Sequence, residues 1–110
     1  MASERKERIA RNESAFRDLN ERLEANVHRG DIEPDYAGFV CECGNIDCDT
    51  TVRMALPAYE AVRQDSMLFF VVPGHEAADT EDVVDDNGGY LVVRKHDDVA
   101  GIVDSTDPRS

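Results

Sequence analysis

All three cysteines of the chain lie in one segment, Cys41-Glu42-Cys43-Gly44-Asn45-Ile46-Asp47-Cys48. Cys41 and Cys43 are two residues apart, and on a β-strand this spacing places both thiols on the same face. The glycine after Cys43 allows a tight turn, and Cys48 follows that turn. Farther along, His75 lies in a second turn, Pro73-Gly74-His75, directly after an apolar run. The sequence therefore offers three thiols and one imidazole from two turns.

Three sulfur atoms and one nitrogen atom form a typical ligand set for Zn²⁺, which binds four such atoms tetrahedrally in structural sites. We therefore predict a Cys3His zinc site with Cys41, Cys43, Cys48 and His75 as its ligands. A bound metal would also help to stabilise a chain of 110 residues that has few aromatic side chains for its core.

Other interpretations of these residues remain open at this point. His96, His28, Asp47 and Asp49 are weaker alternatives for the fourth ligand. The cysteines could instead be ordinary buried strand residues, or they could be reactive thiols. The acidic side chains next to them would raise the thiol pKa values and weaken their reactivity unless a cation is bound.

The charge of the chain is strongly negative and unevenly distributed. The net charge is −12 at pH 7, and residues 30–110 contain five basic and eighteen acidic side chains. Outside the first 29 residues no basic cluster occurs, which argues against direct binding of nucleic acid through its phosphates. An acidic face is suited to a basic protein partner, although the same charge could serve only to keep the chain in solution.

The sequence predicts no targeting or membrane segment. Residues 1–11 are highly charged and lack the apolar stretch of a signal peptide. The longest apolar run, Met67–Val72, is far too short to cross a bilayer. An odd number of cysteines without a secretory signal argues against a disulfide framework. We therefore expect a cytoplasmic protein with no membrane contact.

Residues 3–29 are predicted to form one long helix with a narrow apolar stripe. The stripe contains Ile9, Phe16, Leu19 and Leu23 at helical spacing. Such a helix could pack on its own domain, pair with a second copy to form a homodimer, or bind another protein through this stripe. The sequence does not decide among these alternatives.

The remaining chain is predicted to be a small α+β domain with a mostly antiparallel sheet. Its predicted elements are strands 38–43 and 49–56 joined as a hairpin, helix 57–64, buried strand 67–72, a short helix 80–86 and strand 90–94. Phe39 is expected on the same strand face as Cys41 and Cys43, and Val83 and Val84 are expected to face inward. The predicted organisation is helix 1–30, zinc-stabilised domain 31–103 and flexible acidic tail 104–110.

Several segments together resemble a known group of proteins. They are Arg11-Asn12-Glu13 with Phe16-Arg17 and Asn20-Glu21-Arg22, Phe39-Val40-Cys41-Glu42-Cys43-Gly44 with Cys48, Tyr59-Glu60-Ala61-Val62-Arg63, Phe70-Val71-Val72-Pro73-Gly74-His75-Glu76 and Gly89-Tyr90-Leu91-Val92-Val93. Their order resembles that of small uncharacterised actinobacterial proteins without an established biochemical role. The resemblance implies that the cysteines and His75 belong to one recurring arrangement, and it implies no activity.

The favoured function is a non-catalytic, zinc-stabilised interaction or regulatory module. It would act on a protein partner. The partner that we expect is a basic component of the transcription or translation machinery. One alternative is a thiol redox or metal sensor in which oxidation of the cysteines releases zinc. A second alternative is a small zinc hydrolase or deaminase. However, the chain lacks the H-E-x-x-H motif and the H-x-E…P-C-x-x-C deaminase pattern.

Overall fold

A computed structural model of the chain describes residues 4–29 and 36–109. The predicted boundary between residues 30 and 31 lies outside these residues. The helices are α1 (Glu4–Arg29), α2 (Leu56–Arg63) and α3 (Ala100–Thr106), and a 3₁₀ turn, Asp97–Val99, leads into α3. The strands are β1 (Tyr36–Val40), β2 (Thr51–Ala55), β3 (Leu68–Val71), β4 (Glu81–Asp86) and β5 (Leu91–Lys95).

The strands form two small antiparallel sheets. β1 pairs with β2, and the second sheet has the order β3-β5-β4. The chain after β1 connects the two sheets, because the Cys41 N–H donates to the Thr50 carbonyl at 2.9 Å and the Glu42 N–H donates to the Phe70 carbonyl at 3.0 Å. The predicted α+β class with antiparallel sheets and a long N-terminal helix is confirmed.

Strand β3 is buried on both faces, as its unbroken apolar sequence predicts. Phe69 and Val71 face one hydrophobic cluster together with Cys41 and Cys43. Phe70 faces the other cluster, where Phe39 and Tyr59 stack with their ring centroids 4.3 Å apart. β3 therefore separates the two halves of the core, and the cysteines belong to only one half.

The prediction that Phe39 shares a strand face with the cysteines was wrong. β1 ends at Val40, and from Cys41 onward the chain begins to pair with β3 as well as with the residues before β2. The two-residue alternation holds only within a regular strand, and Cys41 and Cys43 lie beyond the end of β1. Phe39 therefore packs in one cluster, while Cys41 and Cys43 pack in the other.

The helix predicted over residues 80–86 is also wrong, because this segment forms β4. Glu81 lies opposite Lys95 and Val83 lies opposite Val93, with a bulge before Asp85. Val83 and Val84 remain 48% and 52% exposed rather than facing inward. β4 is thus an edge strand whose conformation depends on pairing with β5, a partner that the local acidic sequence does not reveal.

Helix α1 packs on its own domain, mainly through polar side chains. Glu13, Arg17 and Asn20 are fully buried, while Leu19 of the predicted apolar stripe is 40% exposed. Ile9 is only 7% exposed and is packed against Gly44. Ile9 is therefore not available to a partner, contrary to the sequence prediction, and Phe16 and Leu23 are half-buried.

The predicted boundary at residue 104 does not correspond to a break in the structure. α3 continues to Thr106, whose hydroxyl donates to the Ser14 hydroxyl of α1 at 2.8 Å. Asp107 then forms an ion pair of 2.6 Å with Arg63 of α2. Residues 104–109 are thus attached to both α1 and α2, through contacts that depend on distant parts of the chain.

Candidate metal centre

The structure brings together the four residues that the sequence selected as ligands. One ligand atom from each of Cys41, Cys43, Cys48 and His75 can be chosen so that all four lie within 4.8 Å of one another. We call these four residues the Cys3His cluster. Cys41 and Cys43 are buried, Cys48 is half-buried, and His75 is exposed at the surface of the cluster.

Two turns place the ligands of the Cys3His cluster. In the first, the Cys48 N–H donates to the Asn45 carbonyl at 2.9 Å, which folds the chain back after Cys43. In the second, the His75 N–H donates to the Val72 carbonyl at 2.9 Å, directly after β3. Gly74 in this turn has φ of 94°, a left-handed conformation that side chains other than glycine rarely adopt.

Two distances within the cluster fit tetrahedral coordination of a metal ion. His75 Nδ1 lies 3.6 Å from Cys41 Sγ and 3.6 Å from Cys48 Sγ. Zinc–sulfur and zinc–nitrogen bonds of about 2.3 and 2.0–2.1 Å at a tetrahedral angle separate the two ligand atoms by about 3.6 Å. The positions of His75 and these two sulfurs therefore match a shared metal ion.

The surroundings also suit thiolate ligands. The Val72 N–H points to Cys41 Sγ at 3.2 Å and would donate to a sulfur anion. Burial raises the pKa values of Cys41 and Cys43. Burial acts in the same direction on the Cys48 thiol, but hydrogen bonds with Thr50, Cys43 and Cys41 together outweigh it and leave that pKa below its ordinary value. A bound cation would favour deprotonation of all three thiols.

The alternative fourth ligands do not join this cluster in the described part of the chain. His96 Nε2 instead lies 3.4 Å from a carboxylate oxygen of Asp82. Asp47 and Asp49 are exposed and are not members of the cluster. The side chain of His28 is outside the part of the structure that is described.

Glu42 is a supporting residue whose role the sequence did not reveal. Its side chain is completely buried between the two sheets and α1, and one oxygen accepts a hydrogen bond of 2.9 Å from the Asn20 amide. Asn20 also donates to the Val40 carbonyl at 2.9 Å and accepts from the Val40 N–H at 2.8 Å. Burial raises the pKa of Glu42, while Arg17 opposes that shift. These bonds attach α1 to the chain that enters the cysteine turn.

A buried ion cluster holds the loop that follows His75. Lys95 Nζ lies 2.8 Å from Glu13 and 3.0 Å from Glu81, and all three side chains are almost inaccessible to solvent. The second Glu81 oxygen accepts the Ala77 N–H at 3.0 Å. Lys95 lies just beyond the strand predicted over residues 90–94, and only the fold reveals its position in β5 and its partners.

Comparison with protein-family models, with curated proteins and with solved structures gives no match to this chain. The chemical interpretation therefore depends on the arrangement of these side chains. In the described residues, none of the helices is both long enough and apolar enough to cross a membrane.

Proposed function

We propose that the Cys3His cluster is a structural zinc site and that the chain is a non-catalytic interaction or regulatory module. The observation that supports the metal site most strongly is the spacing of 3.6 Å from His75 Nδ1 to the sulfur atoms of Cys41 and Cys48. Zinc fits this ligand set because it prefers thiolate and imidazole ligands in tetrahedral geometry.

Two features support a structural rather than a catalytic metal. Four protein ligands would complete a tetrahedral shell and would leave no open position for a substrate or an activated water. The nearby carboxylates also have other partners, because Glu42 binds Asn20 and Glu76 accepts the Gly74 N–H at 2.7 Å. A hydrolase or deaminase would need one of these groups to act as a base beside the metal.

Metal analysis of purified protein tests this proposal. We expect one zinc ion per chain, and we expect Cys48→Ser and His75→Ala to lose it. His96→Ala is the matched control, because this imidazole lies beside Asp82 rather than in the cluster. Substitution with Co²⁺ should give the charge-transfer absorption of cobalt thiolates in the wild type. Full metal retention in both ligand variants would overturn the proposal.

The proposed partner is a basic protein, and a component of the transcription or translation machinery remains our expectation. The strong negative charge supports electrostatic attraction to such a partner. The exposed Leu19 is the part of the α1 stripe that a partner, or a second copy of the chain, could contact. The cytoplasm remains the expected compartment.

Co-purification with a tagged chain tests the contribution of α1. Leu19→Ser should reduce recovery of the partner, whereas Val83→Ser should leave it unchanged, because Val83 is a similarly exposed residue on β4. Equal recovery from both variants would remove α1 from the proposed interface. Removal of the whole helix is unsuitable as a test, because Arg17 and Asn20 are part of the folded interior.

Partial exposure of Cys48 favours one alternative, the redox sensor. A hydroperoxide would take two electrons from two cysteine thiolates, form one disulfide bond, and be reduced to water and an alcohol or to two waters. The loss of two ligands would release zinc. Zinc release should then follow peroxide addition and reverse with a reducing agent, whereas complete zinc retention would exclude this mechanism.

A further inference from the structure

A second charged site lies away from the metal centre, where α1, α2 and the segment after α3 meet. Glu21 and Glu24 project from α1, Glu60 projects from α2, and the guanidinium group of Arg109 lies among all three. Arg109 Nη2 is 3.1 Å from Glu21 Oε2 and 3.3 Å from Glu24 Oε1. We call the three carboxylates the arginine pocket.

The contacts are specific for a planar guanidinium group. Arg109 Nε and Nη2 donate to the two oxygens of Glu21, which is a bidentate arrangement. Arg109 Nη1 and Nη2 also both donate to Glu60. A lysine ammonium group is a single centre without this fork, so it cannot reproduce the set of bonds.

The pocket is held in place by groups other than Arg109. The Tyr59 hydroxyl donates to Glu21 Oε2 at 2.6 Å, and Tyr59 is itself fully buried. The Arg63 side chain is also buried, with its Nε 3.7 Å from the same oxygen. Glu21 is therefore oriented in advance, and its pKa is lowered by hydrogen bonds from Arg109 and Tyr59 despite the opposing effect of burial.

The pocket contains more negative charge than Arg109 can neutralise. Three carboxylates face one guanidinium group, and Glu24 is only 8% exposed. Arg109 donates to Oε1 of Glu24, and the buried Oε2 accepts no hydrogen bond from Arg109. Burial and the neighbouring Glu60 carboxyl raise the pKa of Glu24 to about 7. A cationic group beside this carboxyl pair would favour ionisation of Glu24 and would gain a second carboxylate as a partner.

Arg109 is also the contact that is easiest to exchange. Its side chain is 35% exposed, and it lies beyond Thr106, the last residue of α3. The segment keeps another attachment, because Asp107 pairs with the buried Arg63 at 2.6 Å. An incoming side chain could therefore replace Arg109 from the solvent while the rest of the fold stays in place.

We propose that Glu21, Glu24 and Glu60 form a binding pocket for an arginine side chain of a protein partner, which Arg109 fills in its absence. The inference deepens the proposed interaction function by naming the chemistry of the partner, and it does not require the metal. Arg109 then acts as an internal competitor that a partner must displace.

Binding of N-acetyl-arginine amide, followed by NMR chemical shifts, tests the proposal. Arg109→Ala should bind this probe about tenfold or more tightly than N-acetyl-lysine amide, because only arginine supplies the fork. The wild type should show shifts at the same Tyr59 and Glu60 signals, but with about tenfold weaker apparent affinity because Arg109 competes. Adding Glu60→Gln to Arg109→Ala should weaken binding.

Three results would overturn the pocket: no binding to Arg109→Ala, equal binding of arginine and lysine amides, or binding to Arg109→Ala with none to the wild type. The last result would mean that Arg109 only joins the helices. If Arg109→Ala fails to fold, Arg109→Lys retains a cation and should still be displaced by the arginine probe. Zinc content is measured in the same samples. A failure of the arginine-pocket proposal can then be distinguished from a failure of the metal proposal.

Discussion

Gly44 lies at the contact between the cysteine turn and α1, and a single methyl group there should disturb both. A Cβ atom at Gly44 would lie 2.5 Å from Ile9 Cγ2 and 3.1 Å from Ile9 Cβ and Cγ1. Ile9 is only 7% exposed, and its branched side chain has little rotamer freedom in a helix. Gly44→Ala should therefore force α1 and the cysteine turn apart.

The loss of stability that we expect in Gly44→Ala comes from overpacking rather than from backbone strain. Gly44 is not among the glycines with positive φ, so an alanine can adopt its conformation. Forcing an extra methyl group into a packed contact costs about 1–3 kcal/mol. Metal affinity should fall as well, because Gly44 directly follows Cys43 and metal binding is coupled to folding of the site.

A double-mutant cycle with Ile9→Ala isolates this contact. Ile9→Ala alone should destabilise the protein by about 2–5 kcal/mol, because it removes a buried side chain. In the double variant the Gly44 methyl group enters part of the vacated space. We therefore expect the double variant to be more stable, by about 1–2 kcal/mol, than the sum of the single effects predicts.

Urea unfolding of the metal-loaded variants measures these free energies, and zinc titration measures metal affinity. Gly38→Ala is the matched control, because a Cβ at Gly38 would meet no atom within 4 Å. Gly38→Ala should change the free energy of unfolding by less than about 1 kcal/mol. The reasoning fails if Gly44→Ala behaves like Gly38→Ala, or if the effects of Gly44→Ala and Ile9→Ala are additive.

Two further experiments test the buried charges. Lys95→Met should lower the free energy of unfolding by about 3–5 kcal/mol, because it leaves the buried Glu13 and Glu81 carboxyls without their cation. Arg94→Met, which breaks an exposed pair on the same strand, should cost less than about 1 kcal/mol in the same urea assay. For Glu24 the pKa is raised from 4.5 to about 7 in the folded state, mainly by burial. The folded state therefore holds the proton more tightly, and this contribution to stability is full below pH 4.5 and is lost as the pH rises through about 7. The stability of the wild type relative to Glu24→Gln should fall across that interval, and a constant difference would contradict the assignment.

The parts of the fold that the sequence predicted depend on local patterns. The run Met67–Val72 is apolar at every position, so a buried strand followed from composition alone, and β3 has both faces buried. The grouping of Cys41, Cys43, Cys48 and His75 could be anticipated because soft ligands close to two turns have few other roles.

The parts that were missed depend on distant partners. Residues 81–86 form a strand only because β5 lies beside them, and nothing in their own sequence identifies that neighbour. Likewise, the apolar stripe of α1 gave no indication that Arg17 would be buried. Its guanidinium group donates to the Ser66 carbonyl at 2.6 Å and lies 3.4 Å above the ring of Phe69. Pairings of this kind become visible only when the fold brings the groups together.

The metal centre and α1 behave as one structural unit, and this restricts how the protein can bind a partner. Asn12 donates to the Gly44 carbonyl at 2.9 Å, Ile9 fills the space beside the same glycine, and Asn20 holds Glu42 between the first two cysteines. Loss of the metal should therefore weaken the attachment of α1, and loss of these α1 contacts should weaken metal binding by the same free energy. Because this side of α1 is committed to the metal turn, a partner is left with the outer surface of the helix and with the carboxylates near its C-terminal end.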